Sequence, residues 1–257
     1  MSPEQSFQVA GVDGCKGGWL VAIVSPVMES SQTDAPCVFK LKSLLVASTF
    51  TEVLSKTSDC KLVCVDIPIG LSDGDKPREC DGMARKVLKG RRASSVFPSP
   101  IRQCLLAKDY TEANKISLEH SGKGLTPLSF AILDKIRQVD DVMSRRPEFQ
   151  HRIREIHPEI LFWALNHKQP MQHKKSRVVG REERIRLLAP IFPNVEEIVA
   201  KARKPKEVAP DDILDAIVAA WTAGQAVIGK AKTLPEKPQL DSKGLKIEML
   251  YPVCYNQ

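Results

Sequence analysis

Four aspartates in three short segments carry the chemistry that this chain offers most plainly. Asp13 ends an apolar run, just ahead of the glycine-rich turn Gly14-Cys15-Lys16-Gly17-Gly18. Asp66 ends the near-continuous apolar stretch Lys61-Leu62-Val63-Cys64-Val65, with the turn residues Pro68 and Gly70 following. Asp212 and Asp215 stand three residues apart at the start of a long apolar helix, a spacing that puts both on one face. Carboxylates at strand ends are costly to desolvate and repel one another when clustered, and a divalent cation with oxygen ligands is the usual way to hold them together. The expectation is a Mg²⁺ or Mn²⁺ site made by Asp13, Asp66, Asp212 and Asp215.

Each of these residues also has a plainer role. Asp211, after Pro210, suits a helix N-cap or first-turn acid, and Asp212 serves equally to compensate the helix dipole. Asp13 is as suited to a turn as to a ligand set. Asp215 is harder to place that way, because it lies one turn inside a helix whose next residues, Ala216-Ile217-Val218-Ala219-Ala220-Trp221, are almost wholly apolar. Glu159 reads by default as a first-turn acid, with a place facing the metal as the alternative and His157 as partner or general base. Lys16, directly after the Asp13 turn, and the Arg91 and Arg92 pair beside two serines are candidates to neutralise phosphate. Lys174 and Lys175, in the basic stretch 168–175, are further candidates for nucleic-acid contact.

The elements that must position these groups follow from hydrophobic periodicity. Residues 7–13, 19–24 and 38–46 read as three antiparallel strands, 50–57 as a short helix and 62–67 as a buried strand. Three meandering strands, a helical crossover and a parallel strand bring the ends of the first and fourth strands side by side, which makes Asp13 and Asp66 neighbours. The polar segment 71–100, with a helix over 77–88, leaves from the Asp66 strand end as a loop or lid over the acids, or as a solvated insertion. Helices are predicted over 110–120 and 126–145, a short strand over 153–156 and a helix over 159–166. Further helices cover 181–188, 195–203 and 212–230, with 201–206 a solvated linker and 246–251 a last edge strand.

At 257 residues the chain suits a single α/β domain spanning 1–257, with an inserted loop and helical segment at about 71–148. A formal charge of +7 suits an anionic partner without requiring one, and aromatics at 5% leave little material for base-stacking platforms, so backbone contacts should dominate any nucleic-acid binding. Seven scattered cysteines without a C-x-x-C pair argue against a zinc ribbon or a disulfide framework, and reduced thiols in the cytoplasm are the simpler account. No segment is apolar and long enough to span a bilayer, and the first residues lack the pattern of a signal peptide, so no membrane partner is expected.

With these segments in view the chain resembles the ribonuclease-H-like superfamily, especially its Holliday-junction-resolvase branch, and more closely a family of predicted RNase-H-like nucleases, domain of unknown function 429. The resemblance rests on GVDGCKGGW (11–19), VDIPIGL (65–71), RRASSVFPSP (91–100), REIHPE (154–159) and DDILDAIVAAWTA (211–223). It implies an α/β fold with a mixed sheet of β-β-β-α-β-α-β type flanked by helices. It also implies metal-ligating roles for Asp13, Asp66, Asp212 and Asp215 and nuclease activity, with one metal ion activating water and a second stabilising the leaving 3′-oxygen. Ribonuclease H carries a glutamate on its first helix. Here that helix holds Glu52, and Glu159 is the alternative. Junction-cutting relatives pair up for two incisions, which leaves a homodimer open. Two other classes stay open as well: a nucleotide-binding phosphotransferase-like protein of related core, and a non-catalytic nucleic-acid-binding protein.

Overall fold

The computed structural model describes residues 7–27, 38–202 and 208–253. Strands β1 (Gln8–Cys15), β2 (Gly18–Pro26) and β3 (Phe39–Ala47) form an antiparallel meander in which a tight turn at Lys16 and Gly17 joins the first two. Helix α1 (Phe50–Lys56) starts where the Thr49 hydroxyl accepts the Glu52 N–H, and it leads to β4 (Cys60–Val65), which runs parallel to β1. The three-residue β5 (Ile153–Glu155) pairs parallel to β4. The resulting order, β3-β2-β1-β4-β5, is a mixed sheet flanked by helices, as the resemblance implies.

Between β4 and β5 lie α2 (Glu79–Leu88), α3 (Gly90–Ala93), α4 (Tyr110–Ser121), α5 (Pro127–Ala131) and α6 (Leu133–Arg145). After β5 come α7 (Pro158–Leu165), α8 (Val178–Leu188), α9 (Val195–Ala202) and α10 (Pro210–Val227), then strands β6 (Ala231–Leu240) and β7 (Lys246–Pro252). Two expectations need correction. The helix predicted over 126–145 breaks at Ile132 (φ −99°, ψ 1°), because its two parts answer to different partners: Ser129 of α5 donates to Pro98 O at 2.6 Å, whereas Ile136, Val139 and Met143 of α6 pack on the sheet. The strand at 246–251 does not extend the main sheet. It pairs with β6 in a separate two-stranded sheet, whose register shift between Leu234 and Gln239 takes up Pro235 and Pro238. Most of the linker expected at 201–206 lies outside the described residues.

Side chains alternate between the two faces of the sheet, so each strand feeds two cores. Ala10, Val12, Val63 and Val65 pack with α1 and α6, while Val9, Cys15, Leu62 and Cys64 pack with α7, α9 and α10. By the same alternation Asp13 and Asp66 fall on the α10 side. Gly11, also on that side, decides how close α10 comes. A Cβ at Gly11 would sit 2.1 Å from Ala216 O and 2.2 Å from Ala220 N, so only glycine lets the helix backbone rest on β1. That contact sets Asp215, the residue before Ala216, against the end of β1.

Gly11→Ala should therefore destabilise the fold by at least about 2 kcal/mol through overpacking, read by urea unfolding. Gly82→Ala in α2 is the control. Its Cβ meets nothing within 4 Å, and it should stabilise by about 0.5–1 kcal/mol.

Candidate functional site

Three carboxylates meet where β1, β4 and α10 converge. Val12 pairs with Val65, and the Asp66 N–H donates to Val12 O at 2.9 Å, so Asp13 and Asp66 stand side by side on adjacent parallel strands. Asp13 is 6% exposed and Asp215 1%, while Asp66 is half-buried. Asp13 Oδ1 accepts the Gly14 N–H at 2.8 Å, and the Asp66 carboxyl lies near enough for its charge to act on Asp13.

Proton affinity follows from this crowding. Burial, and then the charges of Asp66 and Asp215, push the Asp13 carboxyl well up from its ordinary value. Burial also raises Asp66, although the nearby charges of His157 and Lys175 act in the opposite direction. Burial pushes Asp215 up to about 6 against the pull of Lys175. Desolvation penalises the charged form at all three positions, and each neighbouring anion adds to it.

Two further groups complete the pocket. Glu159, in the first turn of α7, is 5% exposed and lies near enough to Asp66 and Asp215 for its charge to raise both. Its Oε1 accepts from Arg184 of α8, which is fully buried, while its Oε2 has no partner. Lys175 arrives from the loop ahead of α8, and its ammonium pairs with Asp215 Oδ2 while Asp215 Oδ1 stays unpartnered. The loop is held in place by Glu183, which accepts the N–H groups of Gln172 and His173 at 2.8 and 3.1 Å, and by Arg184, which donates to His173 O at 3.2 Å.

The donor set is all carboxylate oxygen, which suits Mg²⁺ or Mn²⁺. The buried, unpartnered Asp215 Oδ1 and Glu159 Oε2 are the kind of atom a cation would satisfy. No three of these acids yet bring one oxygen each within 4.8 Å of one another. Among the described residues that spacing is met by Cys80, Asp81 and Glu155 alone. That second group faces the opposite side of the sheet and already has its cation, since Arg78, 3% exposed, pairs with both Asp81 and Glu155. Burial still pushes Glu155 up to about 8. Glu155 shares the inward face of β5 with Ile153, two residues before it, and that period of two is the signal in the sequence that could have marked a core-facing charge.

The remaining candidates divide. Asp212 is half-buried, and its Oδ2 accepts the Ala209 N–H at 2.9 Å, so one oxygen is committed to the start of α10. Glu52 closes the start of α1 by accepting the Ser48 N–H at 2.8 Å, on the face of the sheet away from the acids. Lys16 is exposed in the β1–β2 turn, and no ion pair among the described residues involves it. Lys174 is exposed beside Lys175, and Arg92 Nη1 reaches His173 O at 3.5 Å. The side chain of Arg91 lies outside the described residues. Of the expected lid, only the last part reaches the site, where His157 Nε2 lies 3.3 Å from Ser95 O, while α2 packs on α7 and the β6–β7 pair.

A family model described as "Protein of unknown function (DUF429)" matches residues 11–240 of the 257. The chain belongs to the DUF429 family. The matched stretch of this DUF429 protein includes Asp13, Asp66, Glu159, Lys175, Asp212 and Asp215. Among solved structures it is similar to one described as "Thermus thermophilus RuvC structure", at 12% identity and a TM-score of 0.34, with 87% of this chain and 97% of that one covered. No curated protein matches it. Among the described residues, no helix of this DUF429 protein is long and apolar enough to cross a membrane, and the five described cysteines are free and buried.

Two outcomes are expected. Asp215 binds its proton more tightly folded than unfolded, so its contribution to stability is complete below its ordinary 3.8 and is lost as pH rises through about 6. Metal-free protein should therefore unfold at lower urea at about pH 7 than at about pH 5, and Asp215→Asn should flatten that decline. Arg184→Met should cost about 3–5 kcal/mol, because it leaves Glu159 buried without a partner, and Glu159→Gln in the same chain should recover part of the loss in the same urea assay.

Proposed function

We propose that this DUF429 protein is a metal-dependent phosphodiesterase of ribonuclease-H-like type that acts on nucleic acid. The observation that carries this reading is the convergence of Asp13, Asp66 and Asp215, from two strands and a helix, into one buried pocket with unpartnered oxygens on Asp215 and Glu159. Asp13, Asp66 and Asp215 would hold Mg²⁺ or Mn²⁺, with the free oxygens of Glu159 and Asp212 beside them. A divalent ion held there would supply an activated water and charge stabilisation at the scissile phosphate.

The chain's own residues do the rest. Burial of Asp13 and Asp215 keeps bulk water away, so charges in the pocket act at lower dielectric than at the surface. Exposed Lys174 and Arg177 flank the Lys175 loop and, with Arg92, offer the phosphate backbone positive charge that carries no base specificity. The raised proton affinities of Asp13, Asp66 and Asp215 mean that ligation must release protons, so metal affinity should rise with pH through about 6 for Asp215.

The test is cleavage of branched, duplex, hybrid and single-stranded substrates with Mg²⁺ or Mn²⁺. Activity should vanish with chelator and fall at least about a hundredfold in Asp13→Asn and Asp215→Asn. Nucleotide-dependent thermal stabilisation without cleavage would favour a phosphotransferase-like protein instead. Metal binding with neither effect would favour a non-catalytic nucleic-acid-binding one.

A further inference from the structure

Lys175 holds a position that a simple phosphate contact does not explain. Its side chain is 38% exposed, yet its ammonium pairs with Asp215, whose side chain is 1% exposed. The ammonium thus sits on the acid that α10 brings to the strand ends, where Asp13 and Asp66 stand side by side. The backbone that carries it cannot drift. Arg177 N–H donates to Lys174 O at 3.0 Å, and Gly180 leaves room for that carbonyl, which would lie 2.0 Å from a Cβ there. The Lys175 side chain is flexible and partly exposed, and its neighbour Lys174 is exposed.

An ammonium on Asp215 Oδ2 and a divalent ion on Oδ1 would stand a few ångströms apart, and their mutual repulsion beside a buried carboxylate disfavours holding both. We infer that the Lys175 ammonium is the resident counter-cation of this pocket and that a divalent ion is admitted only by displacing it from Asp215. The inference rests on the metal-site reading above. It accounts for two observations together: the acids are not drawn to a common 4.8 Å spacing, and Asp215 Oδ1 is left without a partner while Oδ2 is paired. It also makes Lys175 the selector of what fills the site. Once displaced, the ammonium lies beside Lys174, where a phosphate backbone can hold it, so metal and nucleic acid should each strengthen the binding of the other.

The experiment is calorimetric titration of MnCl₂ into metal-stripped wild type, Lys175→Met and Lys175→Arg, with melting temperatures recorded in chelator. Lys175→Met should bind Mn²⁺ at least about tenfold more tightly than wild type and melt lower in chelator, while Lys175→Arg, which keeps the charge, stays near wild type in both. Lys175→Gln, which keeps a polar head for Asp215, carries the same expectation as Lys175→Met should the latter fail to fold without metal. Unchanged or weaker Mn²⁺ binding by the neutral variants would overturn the displacement and leave the metal site standing. No Mn²⁺ binding by any of the proteins would overturn the metal site as well.

Discussion

Carboxylates taken out of water beside one another must be answered by positive charge, and the arrangement around Asp13, Asp66, Glu159 and Asp215 follows from that necessity. Each group is pulled in by a different element, and none can retreat to solvent without unpicking a strand, a helix start or a helix face. The answer comes from one region of sequence. Lys175 and Arg184, nine residues apart, supply the ammonium and the guanidinium from one loop and the helix that follows it. The loop in turn is tied down by Glu183 and by the space that Gly180 leaves. The segment 166–188 is thus the counterweight to the acid pocket.

The second requirement is nearness, and it is met by leaving out a side chain. With no Cβ at Gly11, the backbone of α10 lies against β1, and the acid one residue before Ala216 is delivered to the strand end. The opposite face of the sheet shows what happens when a comparable charge problem is solved permanently. There Glu155 and Asp81 close around Arg78, a cation with no route to solvent at 3% exposure. Lys175 differs in keeping its side chain partly exposed.

Much of this was legible in the order of residues. The meander, crossover and parallel strand follow from period-two and apolar-run patterns, and with them the adjacency of Asp13 and Asp66. Asp215 stood out because a carboxylate inside an apolar helix has no cheap local explanation. The pairing of Lys175 with Asp215 was hidden, since a lysine in a polar basic stretch reads as a nucleic-acid contact unless the loop's anchors are known, and those anchors are tertiary. Arg184 was hidden for the same reason: on α8 it sits among other charges, and only the helix packing shows it buried. Strand β6 escaped notice because Pro235 and Pro238 interrupt a run that already mixes Lys and Glu, a composition tolerated only in an edge-type ribbon.

The two margins of the main sheet bear on how copies of this chain could meet. On one side β3 carries exposed Lys40 and Lys42, and on the other β5 is three residues long and tied to the β6–β7 ribbon through Arg154 and Glu248. Neither margin offers the long, flat, uncharged rail along which strands of separate molecules zip together. Self-association that respects this architecture would have to run through helices, and runaway stacking into fibres is disfavoured from the outset.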